Sequence, residues 1–559
     1  MQVIILGDSN LCADSTDISS GAHCYLNLGL HEFHDYIIQI PDGANIDHLE
    51  VVVENGTVAF DITRGLKNVK LVTISSYTDG IIYKGGANIG DLKIYTNYSY
   101  TAPEASAAGA IGSVETKPLI SEDYRIISSK LAGVCFGHGT GDNVLTEATI
   151  SEALGSIGSV LPSAKWVAPI IMWAATSKDI SNCRILPGIE KGEQASLWTS
   201  TGITPHLISK EASGSDVPNF GRSYSDEEVV RAFEMAQASA KQTCFMPSVI
   251  VDDAAKSWRG FITGKVSDVE RFYEAQYRPF IMHYAELLRG KVNAFVIGTE
   301  LRDLNAIHEG TYYPFVDCLI RLAGEVKAML GDGVTVTYSA NWDEYHHGWN
   351  GSECTRQLDK LWAFPAIDVV GIHAYFPLTD KKSGKVTREE VRAVWTSGEA
   401  YDYYVNYGDS RRVPQHLDPW WAFKNIQYWW ENEHFVGSSK TEWEPRSKKL
   451  WFTELGFASI DKTTNEPHIF GAHPRNSSGH IAIDQMLAGY AGSLEYLTSL
   501  PFVGNVFSYV WDIRGKDWYK DPKWKDRSAW YTGHFLDGKI GGIILGDPSE
   551  VSGGGVGSV

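Results

Sequence analysis

Two glutamates in this chain sit where an apolar run stops: Phe295-Val-Ile-Gly-Thr-Glu300-Leu and Leu450-Trp-Phe-Thr-Glu454-Leu-Gly456. Runs of this kind read as buried parallel strands. An ionisable group at their end is unfavourable unless it has a partner or a task. Two carboxylates facing each other across about 5 to 5.5 Å have a defined chemistry, in which one protonates a glycosidic oxygen while the other attacks the anomeric carbon. The two roles need different surroundings, one raising a pKa and one preserving a charge. A single strand-end glutamate reads more simply as a helix cap or as the partner of an arginine such as Arg302. Two in matching contexts favour a sugar site.

The elements that would position this pair are legible as alternation. Eight strand candidates, Leu131 to Phe136, Lys165 to Met172, Thr243 to Val251, Ala294 to Gly298, Val334 to Ser339, Asp368 to His373, Leu450 to Glu454 and Asn505 to Trp511, are separated by stretches with helical spacing. The clearest helical patterns are Asp226 to Ala240, Val269 to Leu288, Pro314 to Met329 and Ile481 to Leu497. The pattern predicts an α/β fold, a (β/α)8 TIM barrel with long rim insertions, and places strand-end glutamates on its C-terminal rim. A doubly wound open sheet alternates in the same way but carries a Gly-rich phosphate loop. His138-Gly-Thr-Gly141 lacks the third glycine of such a loop and reads as a turn.

Ahead of the barrel, short strands (Tyr36 to Ile40, Leu49 to Val53, Val69 to Ile74, Leu92 to Tyr95) separated by Asp-Gly, Asn-Gly and Gly-Gly turns predict a small antiparallel β domain. The expected division is 1–102 for that domain, 103–129 for a linker, 130–541 for the barrel, and 542–559 for a Gly-rich tail or the start of a further domain, so that the chain would belong to something longer.

The 559 residues are 43% hydrophobic, enough for at least one large core, and no run approaches the roughly 18 apolar residues of a membrane helix. The start, Met1-Gln-Val-Ile-Ile-Leu6, reads as a strand and not as a signal peptide. A net charge of −19, from 68 acidic against 49 basic residues, argues against nucleic acid as a partner. Seven cysteines without CxxC spacing read as free thiols. His346-His347 is the one adjacent pair among 17 histidines, and on a strand the two would face opposite ways, so no metal and no cofactor is expected.

The loops after the later strands are aromatic: Asn341-Trp342-Asp-Glu-Tyr-His-His-Gly-Trp349, then Trp395, Tyr401, Tyr403, Tyr404, the pairs Trp420-Trp421 and Trp429-Trp430, and finally Trp518, Trp524 and Trp530. Such rings stack on sugars, although most tryptophans are packing residues. Trp511, at the end of the last strand, is the best placed of them.

Ser181-Asn-Cys-Arg-Ile-Leu-Pro187, Ser257-Trp-Arg-Gly-Phe-Ile-Thr263, Phe295 to Leu301, Asp368-Val-Val-Gly-Ile-His-Ala-Tyr-Phe-Pro377, Trp451 to Gly456, Tyr509-Val-Trp-Asp512 and Gly533 to Gly541 occur in order over about three-quarters of the chain. On these stretches the region from Leu131 to Gly541 resembles the TIM-barrel domain of gene transfer agent and phage tail-tip proteins of the host-specificity, or megatron, type. The glutamate motifs are similar to those of retaining glycoside hydrolases of the large TIM-barrel clan, β-mannanase-like members above all. The resemblance implies that Glu300 is the general acid/base and Glu454 the nucleophile. It also implies that His373 and Tyr375 orient the nucleophile, that Trp511 floors the subsite, and that Asn341, Trp342 and Thr299 contact substrate. Thr299 stands where most of that clan has Asn, and the clan's arginine near the nucleophile is not identifiable in the sequence.

The resulting expectation is a phage-tail or gene-transfer-agent-like protein at a virion tail tip, made without a signal peptide. Its barrel would bind and hydrolyse a host-surface polysaccharide alongside other tail proteins, with no membrane insertion. The alternatives are a non-catalytic adhesin or structural tail module, and a free cellular glycoside hydrolase.

Overall fold

The computed structural model describes residues 122–511 apart from 137–144, 209–221, 254–256, 351–352, 406–413, 459, 470–473 and 478–481, together with the backbone course of ten strands between Gln2 and Lys117. The His138 to Gly141 turn, Trp518, Trp524, Trp530 and the tail after residue 541 lie outside the described residues.

Eight strands close a barrel: β1 (Gly133–Phe136), β2 (Trp166–Ala175), β3 (Gln242–Val251), β4 (Ala294–Thr299), β5 (Thr335–Asn341), β6 (Val369–His373), β7 (Lys449–Leu455) and β8 (Val503–Trp511). Each pairs in parallel with the next, and β8 pairs with β1 to complete the ring. All eight expected strands are present, with ends that shift by a few residues. Helices lie between them, among them Asp226–Ala238, Pro314–Leu330 and Ile483–Leu497. The long helical pattern expected from Val269 to Leu288 is Val266–Phe272 and Arg278–Leu287 joined by a π turn at Tyr273–Tyr277. The architecture is a (β/α)8 TIM barrel.

Burial on both faces explains why the strands read as continuous apolar runs. One set of alternate residues fills the barrel, including Cys135, Ala168, Ile170, Met172, Cys244, Met246, Ala294, Val296 and Trp451. The other set, including Val134, Val167, Ile171, Phe245, Phe295, Val336 and Phe452, packs against the helices. Cys135 and Cys244 are thus small apolar fillers of the barrel interior, and five cysteines among the described residues are free thiols. No helix among the described residues is long and apolar enough to cross a membrane.

The N-terminal strands form two five-stranded sheets. Antiparallel pairing occurs as expected at the first of them, where Gln2–Leu6 lies between Cys12–Asp17 and Asp35–Gln39. The strands that follow pair in parallel: Asn45–Val53 with Asn68–Ser76, and that strand with Asn88–Thr96. From His23 to Thr96 the chain changes sheet at each step, so neighbours within a sheet are one coil apart and run the same way. A Gly-containing turn marks a hairpin or a corner equally well, so turn residues could not reveal this. The strand Ile111–Lys117 also begins inside the segment expected to be a linker.

Candidate active site

Glu300 and Glu454 meet at the C-terminal rim. One carboxylate oxygen of each, with a ring nitrogen of His373, lies in a group whose atoms are all within 4.8 Å of one another. Local irregularities aim both side chains. The register of β4 against β5 shifts between Val296 and Thr299, and Glu300 itself has φ 50°, a left-handed conformation uncommon for a non-glycine residue. On β7 the register slips between its pairings with Ile372 and His373, which brings Glu454 directly opposite His373. Strict alternation from inward-facing Trp451 would have turned Glu454 toward the helices. The slip returns it to the barrel axis, the re-aiming that bulges commonly perform beside functional sites.

The two carboxylates have different partners. Glu300 accepts a hydrogen bond from Trp258 Nε1 (2.9 Å) and one from His373 Nδ1 (2.7 Å), and its Oε2 lies 2.7 Å from Nη2 of Arg259. Glu454 accepts from the Tyr375 hydroxyl (2.7 Å), and its Oε1 lies 3.5 Å from His373 Nε2. Both glutamates are buried, with 5% and 6% of their surface exposed, and His373 is fully buried. Burial by itself raises a carboxyl pKa. At Glu300 that push is overcome by the Arg259 guanidinium, by His373 and by Trp258, so its pKa falls to about 2. At Glu454 burial prevails, aided by the charge of Glu300 and opposed by His373, and the pKa rises.

The remaining expected site residues are placed less favourably for ligand contact. The Thr299 hydroxyl donates to the Pro247 carbonyl (2.8 Å), so it is not directed at a sugar. Asn341 is in register with His373 across β5 and β6, and its side-chain amide donates to Asp343 (2.7 Å). Trp342 is 8% exposed and packs against Phe376, Phe423 and His468. Trp511 is 2% exposed and belongs to the packed core with Phe136, its register partner, which leaves little ring surface for a sugar. Trp395 and Trp429 are likewise core residues, whereas Trp349 is 57% exposed and leans on Trp421.

His346 and His347 depart from expectation. They lie in a turn after β5 and not on a strand, and their Nδ1 atoms are 2.8 Å apart. Arg356 donates to His346 as well (2.8 Å), and burial beside that cation lowers both histidine pKa values, His347 to about 3. With ring nitrogens facing each other and a guanidinium, this is packing chemistry. Among the described residues only Glu300, His373 and Glu454 converge closely enough to suggest a cation, and Arg259 already supplies positive charge there.

Sequence reasoning missed Trp258 and Arg259 as site residues. Both stand in Ser257 to Thr263, on the loop after β3, a stretch that carried the family resemblance without being given a role.

The domain match agrees with this architecture. Residues 275–482 match the GTA TIM-barrel-like domain. The match runs through β4 to β7 and therefore includes both glutamates, His373 and Tyr375. No curated protein matches the chain. Among solved structures, a GH113 β-1,4-mannanase superposes with a TM-score of 0.43 at 14% identity, covering 72% of this chain and 94% of that one. A GH113 β-mannanase from Alicyclobacillus acidocaldarius in complex with ManMIm gives 0.42 at 16% identity, covering 72% and 92%. A β-glucuronidase from Ruminococcus gnavus gives 0.31 at 10% identity, covering 68% and 44%.

Proposed function

We propose that the barrel binds a polysaccharide and hydrolyses its glycosidic bonds with retention of configuration. The observation that carries this reading is the approach of one Glu300 oxygen and one Glu454 oxygen within 4.8 Å. That spacing suits a nucleophile and an acid about 5 to 5.5 Å apart, and it is too short for the water that an inverting pair must admit at roughly 6.5 to 9.5 Å.

Glu454 attacks and Glu300 protonates the leaving oxygen. In the resting site the two shifts run against these roles, because Arg259 lowers the Glu300 pKa while burial raises that of Glu454. His373 lies between them, hydrogen-bonded to Glu300 through Nδ1 and 3.5 Å from Glu454 at Nε2, so that once Nε2 closes on Glu454 a proton taken up there is matched by one released from Nδ1 to Glu300. The exchange leaves an ionised nucleophile steadied by the Tyr375 hydroxyl and a protonated acid. The Arg259 charge stays against Glu300 throughout.

The domain description supports a finer reading in which the protein is a component of a gene transfer agent or phage tail tip, acting on a host-surface glycan beside other tail proteins. Detection of the chain in purified particles by mass spectrometry, with labelling at the tail tip, is the expected result. The second reading is a glycan-gripping adhesin without turnover, favoured by the Arg259–Glu300 ion pair, which opposes protonation of the acid. Both are tested by incubating the full chain with a panel of bacterial and plant glycans and following the anomeric configuration of new reducing ends by proton NMR. Retained products are expected. Inverted products would sink the mechanism, and binding without products would leave the adhesin.

A further inference from the structure

We propose that Trp258, Phe261 and Arg302 form a subsite for a neutral sugar unit on the leaving-group side of the bond being cleaved; this rests on the reading of Glu300 and Glu454 as a glycan site. Trp258 ties the subsite to the chemistry, since its indole N–H donates to Glu300 Oε2 at 2.9 Å. Phe261 stands edge-on to that indole, with ring centroids 5.4 Å apart and planes at 90°. The Arg302 guanidinium carbon lies 5.1 Å from the Trp258 ring centroid and 5.5 Å from that of Phe261.

The arrangement is built by the chain and is not a chance surface contact. The 3-10 turn Arg259–Phe261 folds back over the indole so closely that a Cβ on Gly260 would stand 2.2 Å from a Trp258 ring carbon, which only glycine avoids. The same turn carries Arg259 onto Glu300 and leaves Phe261 44% exposed. An exposed phenylalanine keeps apolar surface in water, an unfavourable state that the apolar face of a sugar ring relieves by stacking. Its position decides which sugar: Trp258 comes to Glu300, the proton donor, from the loop after β3, and Arg302, in the short helix Arg302–Asn305 after β4, covers Trp258, while Tyr375 reaches Glu454 from the end of β6.

The charge of the patch sets the ligand class. Arg302 is already matched by Asp303 (3.0 Å) and Asp343 (2.9 Å), which leaves one cation among two carboxylates. Such a patch repels uronates, as does the net charge of −19, while its carboxylates can accept hydrogen bonds from sugar hydroxyls.

The test uses the full chain with cellohexaose, mannohexaose, xylohexaose and chitohexaose as neutral probes and hexagalacturonate as the acidic one, first by calorimetry. A neutral hexaose should bind most tightly, Phe261→Ala should weaken that binding about tenfold, and Phe261→Tyr should restore it. For turnover, the glycosyl fluoride of the same sugar has a single-atom leaving group that cannot fill the subsite. The ratio of kcat/KM on the hexaose to that on the fluoride should therefore fall about tenfold in Phe261→Ala. Equal losses on both substrates, or no loss of hexaose binding, would overturn the subsite, and preferential binding of hexagalacturonate would overturn the neutral ligand. Binding of a hexaose without turnover defeats hydrolysis alone, because the binding arm still decides the subsite. Failure of all five probes to bind removes the glycan site and this subsite together.

Discussion

Two buried carboxyl groups, Glu300 after β4 and Glu344 after β5, lie within one strand of each other and have pKa values shifted in opposite directions. At the rim, Glu300 faces the Arg259 guanidinium, His373 and the Trp258 indole and is held well below the usual carboxylate range, at about 2. Beside it, Glu344 is 1% exposed and accepts from Asn305 (2.7 Å), Tyr338 (2.8 Å) and the Asn341 backbone (2.9 Å), yet burial pushes it up to about 7. Three hydrogen bonds from neutral groups do not offset the loss of water around a charge, whereas one ion pair with support from two donors does. At Glu300 alone the rim favours an ionised carboxylate despite burial, with Arg259 as the deciding group.

The sharpest break in that comparison is made at the rim itself. Glu454→Gln preserves shape but removes the attacking oxygen, and turnover should fall by roughly four orders of magnitude, about 5.5 kcal/mol of barrier, with glycan binding retained. Glu300→Gln should lose far more on natural glycans than on activated aryl glycosides, which need no proton. Steady-state kinetics on both substrate types checks this, and equal loss on the two would exchange the roles.

Arg259→Gln removes the group that distinguishes the two carboxyls. At pH 7 it should destabilise the protein by about 3 to 5 kcal/mol, since it strands a buried charge. In the parent, the depressed Glu300 pKa contributes stability that is present above the ordinary glutamate value and lost as pH falls through about 2. In the variant, burial is opposed only by His373 and Trp258, so that pKa rises relative to the parent and the gap between the two proteins should narrow from pH 7 to pH 4. Urea denaturation at both values measures it. A pH-independent gap would mean that Arg259 only packs.

The Glu344 side of the comparison predicts the reverse slope. Its raised pKa contributes stability that is complete below the ordinary value and lost as pH rises through about 7. At about 1.4 kcal/mol per tenfold, the rise from 4.5 to about 7 corresponds to about 3 kcal/mol. Parent melting temperature should therefore drop between pH 5 and pH 8 by more than that of Glu344→Gln. The smallest effect is expected for Tyr375→Phe, which takes one hydrogen bond from Glu454. A loss of about 1.5 to 3 kcal/mol of transition-state stabilisation, roughly 10- to 150-fold in kcat/KM, should appear with the fold unchanged by circular dichroism.

Apolar runs with helical patterns between them determined the eight strands and the barrel, because burial on both faces leaves a composition that no half-exposed strand shares. Those runs also determined that Glu300 and Glu454 end their strands, and a barrel sends strand ends to one rim. The N-terminal coils carried a signal too, since Asn45, Asn68 and Asn88 occupy one register column of the parallel strands, a repeat visible in the sequence once its period of about twenty residues is sought. Only the tertiary structure decided the rest. Side-chain direction at the rim follows from a register slip on β7 and a left-handed Glu300, and neither irregularity has a residue signature. The charge of Glu300 depends on Arg259, which lies 41 positions earlier in the chain and reaches the site over a turn that Gly260 permits. Thr299 and Trp511 occupy the strand-end positions the sequence assigned them, but a strand-end position does not say which partner a side chain finds. Thr299 found a neighbouring carbonyl and Trp511 found the core, because local pattern encodes burial while direction and charge are set by neighbours distant in sequence.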